Sequence, residues 1–151
     1  MLIDKIEFEY KISDLHDNGM CEGVKIRHFD LTTKINEEKF LPNLVLNLMD
    51  LDLILATNDE YEYEYEYLFT CTCGDAGCGG VNEYQLVSYL DDKIIIRIQS
   101  PIIRTIVLER EQLKSSILKL KKSMLNDYDI KEYKHIELYA FEPLYKWLVQ
   151  V

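Results

Sequence analysis

The chain has 151 residues, 48% of them hydrophobic and 11% aromatic, with 27 acids against 17 bases for a formal net charge of −10. That length suits one domain, residues 1–151, and that composition can bury a core and is far from the charge-dominated disordered class. Ten excess negative charges argue against partners whose affinity comes from neutralising phosphate, which removes nucleic acid and anionic membrane surfaces and leaves cationic partners open.

The acidity is unevenly placed. Residues 1–75 carry 17 acids and 6 bases, a net of −11, whereas residues 76–151 carry 10 acids and 11 bases, a net of +1. Asp59, Glu60, Glu62, Glu64 and Glu66 fall within eight residues that hold no base. The opening Met1 to Glu7 places acids where a secretory leader needs an unbroken apolar stretch, so a cytoplasmic protein is expected. The most apolar run, Leu44 to Ala56, is interrupted by Asn47, Asp50 and Asp52 and is too short to span a bilayer. In a reducing compartment Cys21, Cys71, Cys73 and Cys78 are expected as free thiols or metal ligands rather than disulfides.

In chain order, Ile6, Phe8, Tyr10 and Ile12 alternate with charged residues, the period of a half-buried strand. After the turn cluster at Ser13 to Gly19, alternation resumes at Val24, Ile26 and His28, so the first two strands are expected to form a hairpin. Thr32 to Pro42 reads as a connecting loop. Leu44 to Met49 reads as a strand ending or bulging at Asp50, although Leu41, Leu44, Val45 and Leu48 also fit a helical spacing. Tyr61, Tyr63, Tyr65, Tyr67 and Phe69 alternate with Glu62, Glu64, Glu66 and Leu68, predicting a strand with one aromatic and one acidic face. Tyr84 to Leu90 and Lys93 to Gln99 read as strands joined at Asp91-Asp92, with Ile94 to Ile96 buried on both faces. Ile102 to Leu108 adds another.

From Glu109 the period changes. Leu113, Ile117, Leu120 and Met124, supported by Leu118 and Leu125, predict one amphipathic helix over about 109–125, with acids in its first turn and Lys121 and Lys122 near its last. His135 to Phe141 reads as a final strand and Pro143 as the start of a short helix whose Trp147 seals the core edge. The expected fold is therefore α+β: a mainly antiparallel sheet of six to eight strands with one helix packed on it.

Two features point toward function. Glutamates two residues apart lie about 7 Å from one another along a strand face and repel, so a stripe from Glu60 to Glu66 is either a solvated sheet face or a surface awaiting a cationic partner. The segment Phe69 to Gly80 packs Cys71, Cys73 and Cys78 among four glycines. Three thiolates there could meet at a zinc ion, with Cys21, His16, His28 or His135 as the fourth ligand. The C-x-C-x4-C spacing is not that of paired C-x-x-C zinc sites, and reduced cysteines packing a tight turn account for it more simply. A nucleophilic Cys78 has no identifiable activating partner. None of the three histidines falls in a recognisable catalytic motif, and the glycines lack the Lys-Ser/Thr of a phosphate loop. No enzyme activity and no cofactor is expected.

The run Phe69-x-Cys71-x-Cys73-Gly74-x-x-Gly77-Cys78-x-Gly80 resembles the F-x-C-x-C-G-x-x-G-C-x-G signature of a group of small bacterial proteins. Some of these are similar to immunity proteins of contact-dependent growth inhibition and related polymorphic toxin systems. The tryptophan expected on the following strand is replaced by Ile94-Ile95-Ile96. The resemblance implies a non-enzymatic inhibitor that binds one cognate toxin domain, often a basic nuclease, and blocks its active site. The alternative is a zinc- or thiol-dependent protein working through Cys71, Cys73 and Cys78.

Overall fold

A computed structural model describes residues 1–17, 22–23, 25–42, 44–57, 63–65, 68–70, 83, 85–127, 136–137 and 147–148. The fold is α+β, with its described strands divided among sheets rather than gathered into one. The first sheet is organised by β3 (Lys25–Ile35), flanked antiparallel by β1 (Ile6–Ile12) and parallel by β11 (Ile136–Glu137). The short β2 (His16–Asp17) and β4 (Glu38–Lys39) also pair with β3. The expected hairpin of β1 with the strand after Gly23 is present, in register from Ile6 opposite Ile35 to Ile12 opposite Phe29.

The loop expected over Thr32 to Pro42 is instead strand. β3 runs on to Ile35 and turns back into β4 through Asn36 and Glu37, both with positive φ (52° and 72°), the conformation that lets two residues reverse a twisted hairpin. Asn36 is held there by accepting from the Lys5 amide through Oδ1 at 2.8 Å and donating from Nδ2 to Asp4 Oδ1 at 2.7 Å. The turn signal lacked glycine, so composition concealed it.

The second sheet has the order β10 (Arg104–Glu109), β9 (Lys93–Ile98), β8 (Gln85–Leu90), β6 (Tyr63–Tyr65). The β8–β9 hairpin turns at Asp91 and Asp92, as expected, with Asp91 at φ 55°. Ile94, Ile95 and Ile96 are all buried, which explains why that strand carries no alternation. Asp4 joins the two sheets: its amide donates to the Val107 carbonyl at 2.7 Å, its Oδ2 accepts from the Val107 amide at 3.0 Å, and Arg104 Nη2 stands 3.7 Å from its Oδ1.

A two-stranded pair, β5 (Val45–Leu46) with β7 (Phe69–Thr70), holds part of the strand expected over Leu44 to Met49, and a helix begins before that strand's expected end at Asp50. Helix α1 (Leu48–Ala56) starts at Asn47, whose Oδ1 accepts from the amides of Met49 and Asp50 at 3.1 and 3.4 Å, satisfying donors that have no partner within the helix. Asp50 and Asp52, read as the end of a strand, lie in its first turns, while Leu48, Leu51 and Ile54 at helical spacing are fully buried. The end of α1 is capped by three side chains. Tyr89 donates its hydroxyl to Ile54 O at 3.0 Å, Arg110 Nη1 donates to Leu55 O at 2.6 Å, and Thr57 Oγ1 donates to Leu53 O at 2.8 Å.

Helix α2 (Arg110–Asp127) confirms the amphipathic pattern, burying Leu113, Ile117, Leu120 and Met124. Leu118 and Leu125, counted as supporting its apolar stripe, are instead 53% and 41% exposed. The helix runs to Asp127, so Lys121 and Lys122 stand ahead of the last turn, which holds no base. One buried cluster joins both sheets and both helices, from Ile6 and Phe29 through Leu51 and Ile96 to Leu113 and Trp147, the last with no exposed surface. Within the strand expected over His135 to Phe141, Ile136 and Glu137 are described and form β11; the helix start at Pro143 lies outside the described residues.

Candidate functional site

Of the acidic stripe, Asp59, Glu60, Glu62 and Glu66 lie outside the described residues, and Glu64 is placed by its backbone in β6. The register sets Glu64 opposite Leu86, which faces Arg97, which faces Thr105. Arg97 and Thr105 in that row are exposed, whereas Ile95 and Val107 on the same face of the sheet are buried. Tyr63 falls opposite Val87 on the row that continues through Ile96 and Ile106, all three buried. β6 is the last strand in the order of this sheet. Neighbouring β7 is tied to β8 by the fully buried Gln85, whose Oε1 accepts from the Phe69 amide at 3.3 Å and whose Nε2 donates to Glu83 O at 3.2 Å.

Cys21, Cys71, Cys73 and Cys78 lie outside the described residues, as does His135. His16 and His28 stand in β2 and β3. Among the described residues, no three His, Cys, Asp or Glu side chains cluster as a metal site would require. Among them, too, no helix is long and apolar enough to cross a membrane.

The structure assembles charge at a place the sequence did not single out. Between α1 and α2, Lys121 Nζ stands 3.6 Å from Asp52 Oδ2 and 4.5 Å from the centre of the Trp147 ring, with the lysine side chain only 12% exposed. Burial pushes the Asp52 carboxyl above its ordinary value, and Lys121 pulls it partly back. The indole N–H of Trp147 also favours the Asp52 carboxylate, as the smallest of these effects. Asp50 is also pushed up, by burial alone. Nearby, the Arg110 guanidinium lies over Tyr89 at 5.4 Å while capping α1, a cation placed where the helix dipole favours one. Arg110, Lys114 and Lys121 recur at steps of four and seven along α2. Nothing local indicated that Asp52 would lie opposite that stripe, because Asp50 and Asp52 read as the end or bulge of a strand.

On the opposite flank of α2 a groove of about 550 Å³ separates it from β1. Gln112 and Ser116 close one end by hydrogen bonding to Ile6, and Tyr10 donates its hydroxyl to Asp127 toward the other. The β1 acids along it are matched by lysines, with Glu7 paired to Lys5 and Glu9 to Lys34, and the Glu9 contact raises the Lys34 ammonium above its ordinary value. These pairs are exposed and contribute little to stability.

No family model, no curated protein and no solved structure matches this chain.

Proposed function

We propose that this chain is a non-enzymatic inhibitor, an immunity protein that binds and neutralises a cationic toxin domain, with a basic nuclease as the partner that fits best. One observation carries the reading: net charge of −11 gathered in residues 1–75, most densely in the base-free window from Asp59 to Glu66.

The mechanism follows from electrostatics. A strand bearing carboxylates at regular spacing presents repeated negative charge to a surface built for a polyanionic substrate, and competes for it. The same field accelerates encounter with a basic domain, which matters for an inhibitor that must engage before the toxin acts. The resemblance of the Phe69 to Gly80 run to immunity proteins points the same way.

The reading expects a toxin gene directly upstream of this one, and the test is co-expression with the toxic domain such a gene encodes. Protection of growth together with a stable one-to-one complex is the expected result. Loss of viability despite abundant folded protein would overturn the reading.

A further inference from the structure

We propose that the cleft between α1 and α2 binds a small amphipathic carboxylate, its anionic head at Arg110 and Lys114 and a short apolar tail along Leu55, Ile117 and Leu118. The cleft measures about 480 Å³, within the range of small-molecule sites. It depends on helices α1 and α2 alone, so it stands or falls separately from the acidic strand.

The charge of the walls selects the head group. Arg110, Lys114 and Lys121 line the cleft from one stripe of α2, against the two acids Asp52 and Glu111. This is a local cationic excess in a chain of net −10. The two ends of the stripe differ. Lys121 is matched by Asp52 at 3.6 Å and lies over Trp147, which closes that end electrically. At the other end Arg110 commits Nη1 to Leu55 O, while its buried Nη2 has no hydrogen-bond partner among the described residues. A buried charged donor without an acceptor is unfavourable, and a carboxylate is the acceptor a guanidinium pairs with best. Nη2 is covered, so the ligand makes first contact with the exposed Lys114 one turn on, beside Arg110 in the cleft wall.

The apolar walls select the tail. Ile117 forms buried floor, whereas Leu118 in the same wall is 53% exposed, a large apolar side chain left facing solvent. Between Lys114 and Lys121 the helix advances about 10 Å, room for a chain of about five carbons. A cationic amphiphile meets a net positive lining at the Arg110 and Lys114 end of this cleft, and a neutral one offers Arg110 no charge.

Titration of the full chain with hexanoate, hexanol, acetate and hexylammonium, followed by calorimetry and amide chemical shifts, tests the proposal. Hexanoate is expected to bind with shifts confined to residues 52–56 and 110–121, and to bind at least about tenfold more tightly than hexanol or acetate, with hexylammonium inert. Lys114→Glu is expected to weaken hexanoate about tenfold with an unchanged unfolding midpoint, and Leu118→Ser, also on exposed surface, to weaken it without altering acetate. Equal affinity for hexanol and hexanoate, shifts centred elsewhere, or no hexanoate binding up to about 10 mM would each overturn it.

Discussion

Gln112 pairs with Ile6 as a neighbouring strand would: its Nε2 donates to the Ile6 carbonyl at 2.8 Å and its Oε1 accepts from the Ile6 amide at 3.2 Å. A helix side chain thereby completes the edge of β1 that faces away from β3. Ser116 Oγ also donates to the Ile6 carbonyl, at 2.7 Å, so the amide depends on Gln112 alone while the carbonyl has two donors. Gln112→Ala should cost about 2 kcal/mol and Ser116→Ala about 1 kcal/mol or less, with the double variant losing more than the sum because both serve one carbonyl. Urea unfolding checks this. Equal losses, or additive ones, would show that Gln112 is not the edge partner of Ile6.

Removing the hydroxyl of Tyr89 isolates one cap of α1. Tyr89→Phe keeps the ring under Arg110 and deletes the bond to Ile54 O. A loss of about 1 kcal/mol is expected, with little change in the denaturant slope. A neutral result would mean that the other caps, Thr57 and Arg110, satisfy the helix end without it.

The half-buried carboxyls of α1 predict a pH dependence. Burial raises both Asp50 and Asp52, so the folded chain holds these protons more tightly than the unfolded one. The stability they contribute when protonated is fully present below the ordinary carboxylate pKa and is lost as pH rises through the raised folded value. For Asp50 the cost of burial outweighs the attraction of the α1 N-terminus for negative charge. Asp50→Asn should therefore gain on the parent as pH climbs through that window and hold a constant advantage above it. Lys121→Met should steepen the parental decline by removing the cation that pulls Asp52 down. Unfolding midpoints measured from pH 3 to 7 decide, and a pH-independent difference between parent and Asp50→Asn would contradict the assignment.

Metal analysis separates the two functional classes. The inhibitor reading expects folded protein without stoichiometric zinc. Zinc at one equivalent, lost in Cys73→Ser, would move the working site to the Cys71, Cys73 and Cys78 loop.

Elements whose periodicity survives folding were legible from sequence. The stripe from Leu113 to Met124 and the pair of strands meeting at Asp91-Asp92 are where their spacing put them, because burial on one helix face or in one sheet imposes that spacing directly. Helix α1 was not legible as such. Its nine residues are mostly apolar, so little contrast marks its period. The β3–β4 turn escaped because Asn36 and Glu37 take positive φ without glycine. The α1–α2 cleft was hidden for a different reason: Asp52 and Lys121 lie 69 positions apart in sequence, and no local pattern encodes a contact of that range. The acidic stripe was read from charge alone, and β6 adds to it the register of Glu64.

The most direct test of the central claim is the association rate of this chain with a basic nuclease toxin domain against which it protects in co-expression, measured by stopped flow from low to physiological salt. The parent should associate rapidly at low salt and slow steeply as salt rises. Replacing Glu62, Glu64 and Glu66 with Gln should cut the low-salt rate about tenfold and flatten that dependence, leaving dissociation less affected. Identical rates and salt slopes for parent and triple variant would contradict a partner surface on the acidic strand.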